Sequence, residues 1–140
     1  MSATAVILTP YADSQSHLLA ALAVLDLRVQ WAIARARAHG LQPDDDFRGL
    51  YISDAQADAL VSQGVGGHIW ANGNGRQPLP FDFPAAIDQA GREWEARTLA
   101  SREEGVSLRL DHLISAFSLT PPETDALLIA LAPEIDPRYE

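Results

Sequence analysis

The chain has 140 residues, 47% of them hydrophobic and 21% charged, which is enough to bury one core and too apolar to remain unfolded. Nineteen acidic against ten basic residues give a net charge of −9, which repels nucleic acid and anionic lipid unless the basic side chains gather on one surface; they are spread along the chain. All ten basic residues are arginine and there is no cysteine, which excludes disulfides, thiolate catalysis, cysteine-bound zinc and the lysine of a phosphate-binding P-loop.

The first ten residues lack the basic start and apolar core of a signal peptide, so a cytoplasmic location is expected. The apolar run 5–8, closed by Thr9 and Pro10, reads as an arm laid on the core, with a short strand as the alternative. Asp13 or Ser14 then supplies the N-cap of a helix predicted over 14–39, the longest helical run and the one around which the others must pack. Leu18, Leu22, Leu25, Val29, Ala32 and Ala36 share one of its faces, and Ala20, Val24, Leu27, Trp31, Ala34 and Ala38 the opposite one. Asp26, Gln30 and Arg37 mark one edge, Arg28 and Arg35 the other, so both faces need cover from this chain or from a partner. Gly40 is placed to end the helix.

Residues 41–52 form a loop in which Asp44, Asp45 and Asp46 are consecutive, a spacing that fits a solvated turn and not a calcium loop. The capping box Ser53-Asp54-Ala55-Gln56 opens a short helix over 54–63, stopped by Gly64. Glycines and prolines dominate 64–84 without the strand–glycine–helix order of a dinucleotide site; a small hairpin turning at Asn72-Gly73-Asn74-Gly75 is expected there instead.

Pro84 starts the next helix, with Phe83, Ile87, Ala90, Trp94 and Thr98 on one face. The pairs Asp88/Arg92 and Glu93/Arg97 lie outside, and Gly91 allows a close crossing over the first helix. Glu93, Glu95, Glu103 and Glu104 read as a solvated surface rather than as catalytic carboxylates. After Gly105 a helix is predicted over 107–119 with Leu110, Leu113, Ile114 and Phe117 inward. Thr120-Pro121-Pro122-Glu123 opens the last helix with a cap, a first-turn proline and a capping-box glutamate; Leu127, Leu128 and Leu131 point inward, and it stops before Pro133. These two helices have the outline of a helix-turn-helix.

Two runs carry a family resemblance. Leu113-Ile114-Ser115-Ala116-Phe117-Ser118-Leu119-Thr120-Pro121-Pro122-Glu123-Thr124-Asp125-Ala126-Leu127-Leu128 continues into Leu131-Ala132-Pro133-Glu134-Ile135-Asp136-Pro137-Arg138-Tyr139-Glu140. Upstream lies Asp46-Phe47-Arg48-Gly49-Leu50-Tyr51-Ile52-Ser53-Asp54, with Asp58. Together they cover about a third of the chain, and they resemble the variant winged-helix region that precedes the ATPase module in a family of bacterial AAA+ proteins. Some members of that family are encoded in the gene clusters of extracellular contractile injection systems, a context that the resemblance implies for this chain. The resemblance implies an N-terminal fragment whose nucleotide site, with its ATP and Mg, lies beyond Glu140, and a ring-forming full-length protein.

The expected fold is all-α, a bundle around one long central helix with a small hairpin, divided into residues 1–106 and a helix-turn-helix start of a winged helix at 107–140. His17, His39, His68 and His112 lack metal-ligand spacing and no serine sits in a nucleophile elbow, so the chain is expected to hold no catalytic, metal or cofactor residue of its own. The expected partner is a protein or cargo, or a second copy, met through Trp31, Trp70, Phe81 and Phe83; no membrane is expected. Nucleic acid is disfavoured because the second helix of the pair offers Glu123 and Asp125 and no basic residue. A helix-turn-helix DNA binder and a stand-alone structural or dimerisation protein are the alternative readings.

Overall fold

The computed structural model describes residues 9–38 and 82–139; the helix expected at 54–63, the hairpin, Trp70 and Phe81 lie outside them. The described residues form four α-helices and a closing 3₁₀ turn, without a strand. We label the helices α1 (Ser14–Ala38), α2 (Phe83–Glu103), α3 (Arg109–Phe117) and α4 (Pro121–Ile135), followed by the 3₁₀ turn Pro137–Tyr139. The fold is all-α, as the periodicity predicts.

Asp13 caps α1: its Oδ1 accepts the Ser16 N–H at 2.7 Å while Ser16 Oγ accepts the Asp13 N–H at 3.2 Å. These bonds favour the ionised carboxylate and hold its pKa below the ordinary value. Ser14, the other candidate cap, serves α3 instead, its hydroxyl accepting the Arg109 N–H at 2.9 Å. The starts of two helices far apart in sequence are thereby tied together.

The two apolar faces of α1 have different fates. Ala21, Leu22 and Leu25 are buried with Leu110 of α3 and with Leu128 and Ala132 of α4; Leu18, Val29, Ile114 and Leu127 pack around them. On the opposite face Val24, Leu27 and Trp31 are half-buried, and Ala34 and Ala38 are exposed. Asp26, which the helical wheel assigns to a charged edge, is buried. Its two carboxyl oxygens accept hydrogen bonds from Gln30 Nε2 at 2.9 Å and from the Tyr139 hydroxyl at 3.0 Å, which offsets its desolvation.

α2 is capped by Asp82, whose Oδ1 accepts the Ala85 N–H at 3.1 Å, with Pro84 in the first turn where no donor is needed. Its inward face meets α1 through Trp94 and Thr98, and Ser101 is buried one turn further on. The N-terminal segment is stitched to the same face: the Tyr11 N–H donates to Ser101 Oγ at 2.8 Å, and Arg97 Nε donates to the Thr9 carbonyl at 2.8 Å. The Arg97 guanidinium lies 4.1 Å from the Tyr11 ring centroid, so among the described residues it serves Thr9 and Tyr11 and not the pair with Glu93 that the i,i+4 spacing suggests; Asp88 and Arg92 do pair, and the arm expected at 5–8 lies outside the described residues. Gly105, at φ +75, closes α2 in a Schellman turn, with Val106 N–H to the Ser101 carbonyl at 2.9 Å and Gly105 N–H to Arg102 at 3.0 Å.

Four further expectations are corrected. Leu113 and Phe117 are exposed, Phe117 at 73%, so only Leu110 and Ile114 of the α3 stripe face the core; the helix is too short for a full apolar face to be covered by one neighbour. α4 does not stop at Pro133 but runs through it to Ile135; Pro133 lies within the last turn, and the Asp136 N–H still reaches the Ala132 carbonyl at 2.9 Å. The helix expected over 107–119 is trimmed at both ends, to 109–117, and Ser118 takes the left-handed conformation, φ 51, that turns the chain toward α4. Among the described residues Gly91 mediates no close crossing, because a Cβ built on it meets nothing within 4 Å.

Two stability predictions follow from these contacts. Gly91→Ala should stabilise the chain by about 0.5–1 kcal/mol through helix propensity, seen as a higher urea midpoint. Tyr139→Phe should destabilise it by about 1 kcal/mol, since Asp26 loses a donor in a buried place.

Candidate functional site

Once the core is closed, one cleft stands out, with a volume of about 340 Å³. α1 contributes Val24, Leu25 and Arg28; α2 contributes Gly91, Trp94, Glu95, Leu99 and Arg102. Asp111 and Ile114 of α3 and Asp125 and Leu128 of α4 complete it. The α2 residues recur at the three- and four-residue spacing of one helical face, so a single stripe of that helix lines the cleft along its length. The floor is apolar, and Leu99 at its edge is 54% exposed.

Two ion pairs bracket this floor. Arg28 of α1 pairs with Asp125 of α4. Arg102 of α2 grips Asp111 of α3 with both forks, Nε donating to Oδ2 at 2.7 Å and an Nη donating to Oδ1, and this hydrogen bonding raises the Arg102 pKa further. Each pair ties together two different helices. Glu95 lines the cleft as well and is exposed.

Behind the cleft wall lies the most buried polar side chain of the α1–α2 contact. His17 is fully buried, stacks on Trp94 with ring centroids 4.9 Å apart, and meets the Tyr11 ring edge-on at 5.2 Å. Thr98 Oγ1 donates to the Trp94 carbonyl at 2.7 Å, so it accepts from His17 Nε2 at 3.0 Å; Nε2 therefore carries the proton. Among the described residues His17 Nδ1 has no hydrogen-bond partner. Burial pushes the ring's pKa below its ordinary value, against an upward pull from Asp111 and with a downward push from Arg102. Burial also raises the Tyr11 pKa, against the pull of Arg97.

Of the residues proposed from sequence for partner contact, Trp31 and Phe83 do not line this cleft. Trp31 is half-buried further along α1, with the Arg35 guanidinium 5.1 Å from its ring centroid. Phe83 is half-buried at the first position of α2, and Trp70 and Phe81 lie outside the described residues. Sequence reasoning missed Glu95, Leu99 and the two bracketing ion pairs; the available signal was the 91–94–95–98–99–102 stripe, in which Gly91, Trp94 and Leu99 sit beside Glu95 and Arg102. Among the described residues no three His, Cys, Asp or Glu side chains are grouped to hold a metal.

α3, the left-handed Ser118 and α4 with its Thr120/Glu123 box make the helix-turn-helix pair: the Thr120 N–H and hydroxyl both donate to Glu123 Oε2, at 2.8 and 2.6 Å. Those bonds hold the Glu123 pKa below its ordinary value. Compared with known families, residues 2–140 match the one described as winged helix domain, variant. The chain belongs to that family. No curated protein and no solved structure matches it. The match takes in α1 and α2 as well as the helix-turn-helix, and a winged helix domain of this kind is a DNA-binding or a protein-interaction module. In this winged helix domain the second helix of the pair, α4, carries Glu123, Asp125 and Glu134 and no basic residue.

The buried histidine makes stability depend on pH. Its folded pKa lies below the unfolded value near 6.5, so the unfolded chain binds a proton that the folded chain refuses. The His17 contribution should be complete above pH 6.5 and be lost as pH falls from there through the lower folded pKa. Urea midpoints measured between pH 7.5 and 5.5 should fall with acid, and less steeply in His17→Phe; equal slopes would contradict this assignment.

Proposed function

We propose that this winged helix domain is a protein-interaction module without catalytic chemistry of its own, the recruiting N-terminal domain of an AAA+ ATPase. The observation that carries the protein-facing reading is the charge of α4. A helix that enters a DNA groove needs donors for phosphate and for guanine, yet the exposed positions of α4 include Glu123, Glu134 and Ile129, the last at 59% exposure. With a net charge of −9 the rest of the chain adds repulsion rather than steering.

The ATPase assignment rests on the 113–140 run and its upstream companion, and the link to contractile injection systems rests on the same resemblance. In this reading the domain meets a substrate or adaptor, the ATP and Mg belong to the downstream module, and the ring is a property of the full-length protein. The setting is cytoplasmic. Ser14–Ala36 is long and apolar enough to cross a membrane by length and composition. Its His17 and Asp26, however, are buried against α2 and the closing turn, which suits the core helix of a folded domain.

Titration of fluorescently labelled duplex DNA with the purified chain at low salt should show no saturable binding. Binding that weakens steeply as salt is added would overturn the protein-facing reading in favour of DNA. For the ATPase, removal of residues 1–140 from the full-length protein should leave basal ATP hydrolysis unchanged and abolish its stimulation by the recruited protein.

A further inference from the structure

Gly91 is placed against its own helix. It sits in the middle of a 21-residue helix, where glycine weakens the helix relative to alanine, and it supports no crossing of described residues, since a Cβ there meets nothing within 4 Å. It does line the cleft, on the same stripe as Trp94, Glu95, Thr98, Leu99 and Arg102. That stripe advances from residue 91 to residue 102, about 16 Å along α2 at the helical rise, so the cleft is a groove two to three turns long and not a hole for one side chain. A glycine with open space above it lets another backbone approach α2 closely.

The charges around the groove restrict what can lie there. Arg28 is neutralised by Asp125 and Arg102 by Asp111, which leaves Glu95 as the uncompensated charge of the lining. Glu95 is exposed, and it makes no ion pair or hydrogen bond among the described residues. The floor asks for apolar side chains and the rim for a positive one.

We propose that the groove between α1 and α2 receives an amphipathic helix of another protein, whose apolar stripe lies over Gly91, Trp94 and Leu99 and whose lysine or arginine pairs with Glu95. This rests on the protein-facing reading and names the chemistry of the partner it would take. Gly91 is then retained for docking, at the expense of α2 stability.

The test uses the purified 140-residue chain and two labelled synthetic amphipathic helices of about 18 residues, roughly five turns, with the same apolar stripe, one flanked by lysines and the other by glutamates. The lysine helix should bind and the glutamate helix should not. Gly91→Phe should fill the groove and weaken binding by about tenfold or more while circular dichroism and the melting temperature show a folded chain, and Glu95→Lys should invert the preference between the helices. Equal binding of both helices, no binding of either, or binding indifferent to Gly91→Phe would overturn the proposal. So would a concentration-dependent dimer of the chain that Gly91→Phe dissolves, because the occupant would then be a second copy. Loss of peptide binding with no DNA binding removes only the groove assignment, whereas saturable DNA binding removes the protein-facing reading itself.

Discussion

The contact between α1 and α2 is made by a histidine and a tryptophan that hold each other twice. The Trp94 indole N–H donates to the His17 carbonyl at 3.2 Å while the two rings stack, and the far nitrogen of the imidazole bonds to Thr98 one turn further along α2. A side chain this polar is tolerated at full burial because Nε2 is partnered and the ring is neutral. The register that these bonds impose puts Ser101 beside Tyr11 and Arg97 over its ring, so Thr9 and Tyr11 are held against α2 as a consequence. It also leaves Trp94 with two tasks: it stacks on His17 and lines the groove.

The second organising contact lies at the other end of the chain. The Asp136–Tyr139 stretch reads as a family signature, and its residues have structural duties. Asp136 is buried and its N–H satisfies the Ala132 carbonyl as α4 ends. The 3₁₀ turn then brings the Tyr139 hydroxyl onto Asp26 in the middle of α1. A motif that closes the bundle on its central helix accounts for those residues without assigning them to a ligand.

Ion pairs do different work here from the buried contacts. Arg28–Asp125 and Arg102–Asp111 are partly exposed, and pairs of that kind add little to stability. Their positional effect is larger, since each one cancels a cation that would otherwise face the groove and ties a wall helix to its neighbour. What remains at the groove is an apolar floor, an unfilled glycine and one exposed carboxylate.

Local chemistry was legible in the sequence wherever one helix sufficed to express it. The helical character of 14–38, the Asp13, Pro84 and Thr120 start signals, Gly105 as a helix stop and the acidic character of α4 follow from capping and periodicity, because those signals act within a turn or two of backbone. The burial of Asp26 and the transfer of Ser14 from its own helix to the start of α3 depended on partners 113 and 95 residues away. The groove belongs to the same class. A helical wheel shows which residues share a face, but whether that face is covered, cancelled by a neighbour's charge or left open is decided only when α2, α3 and α4 take their places around α1.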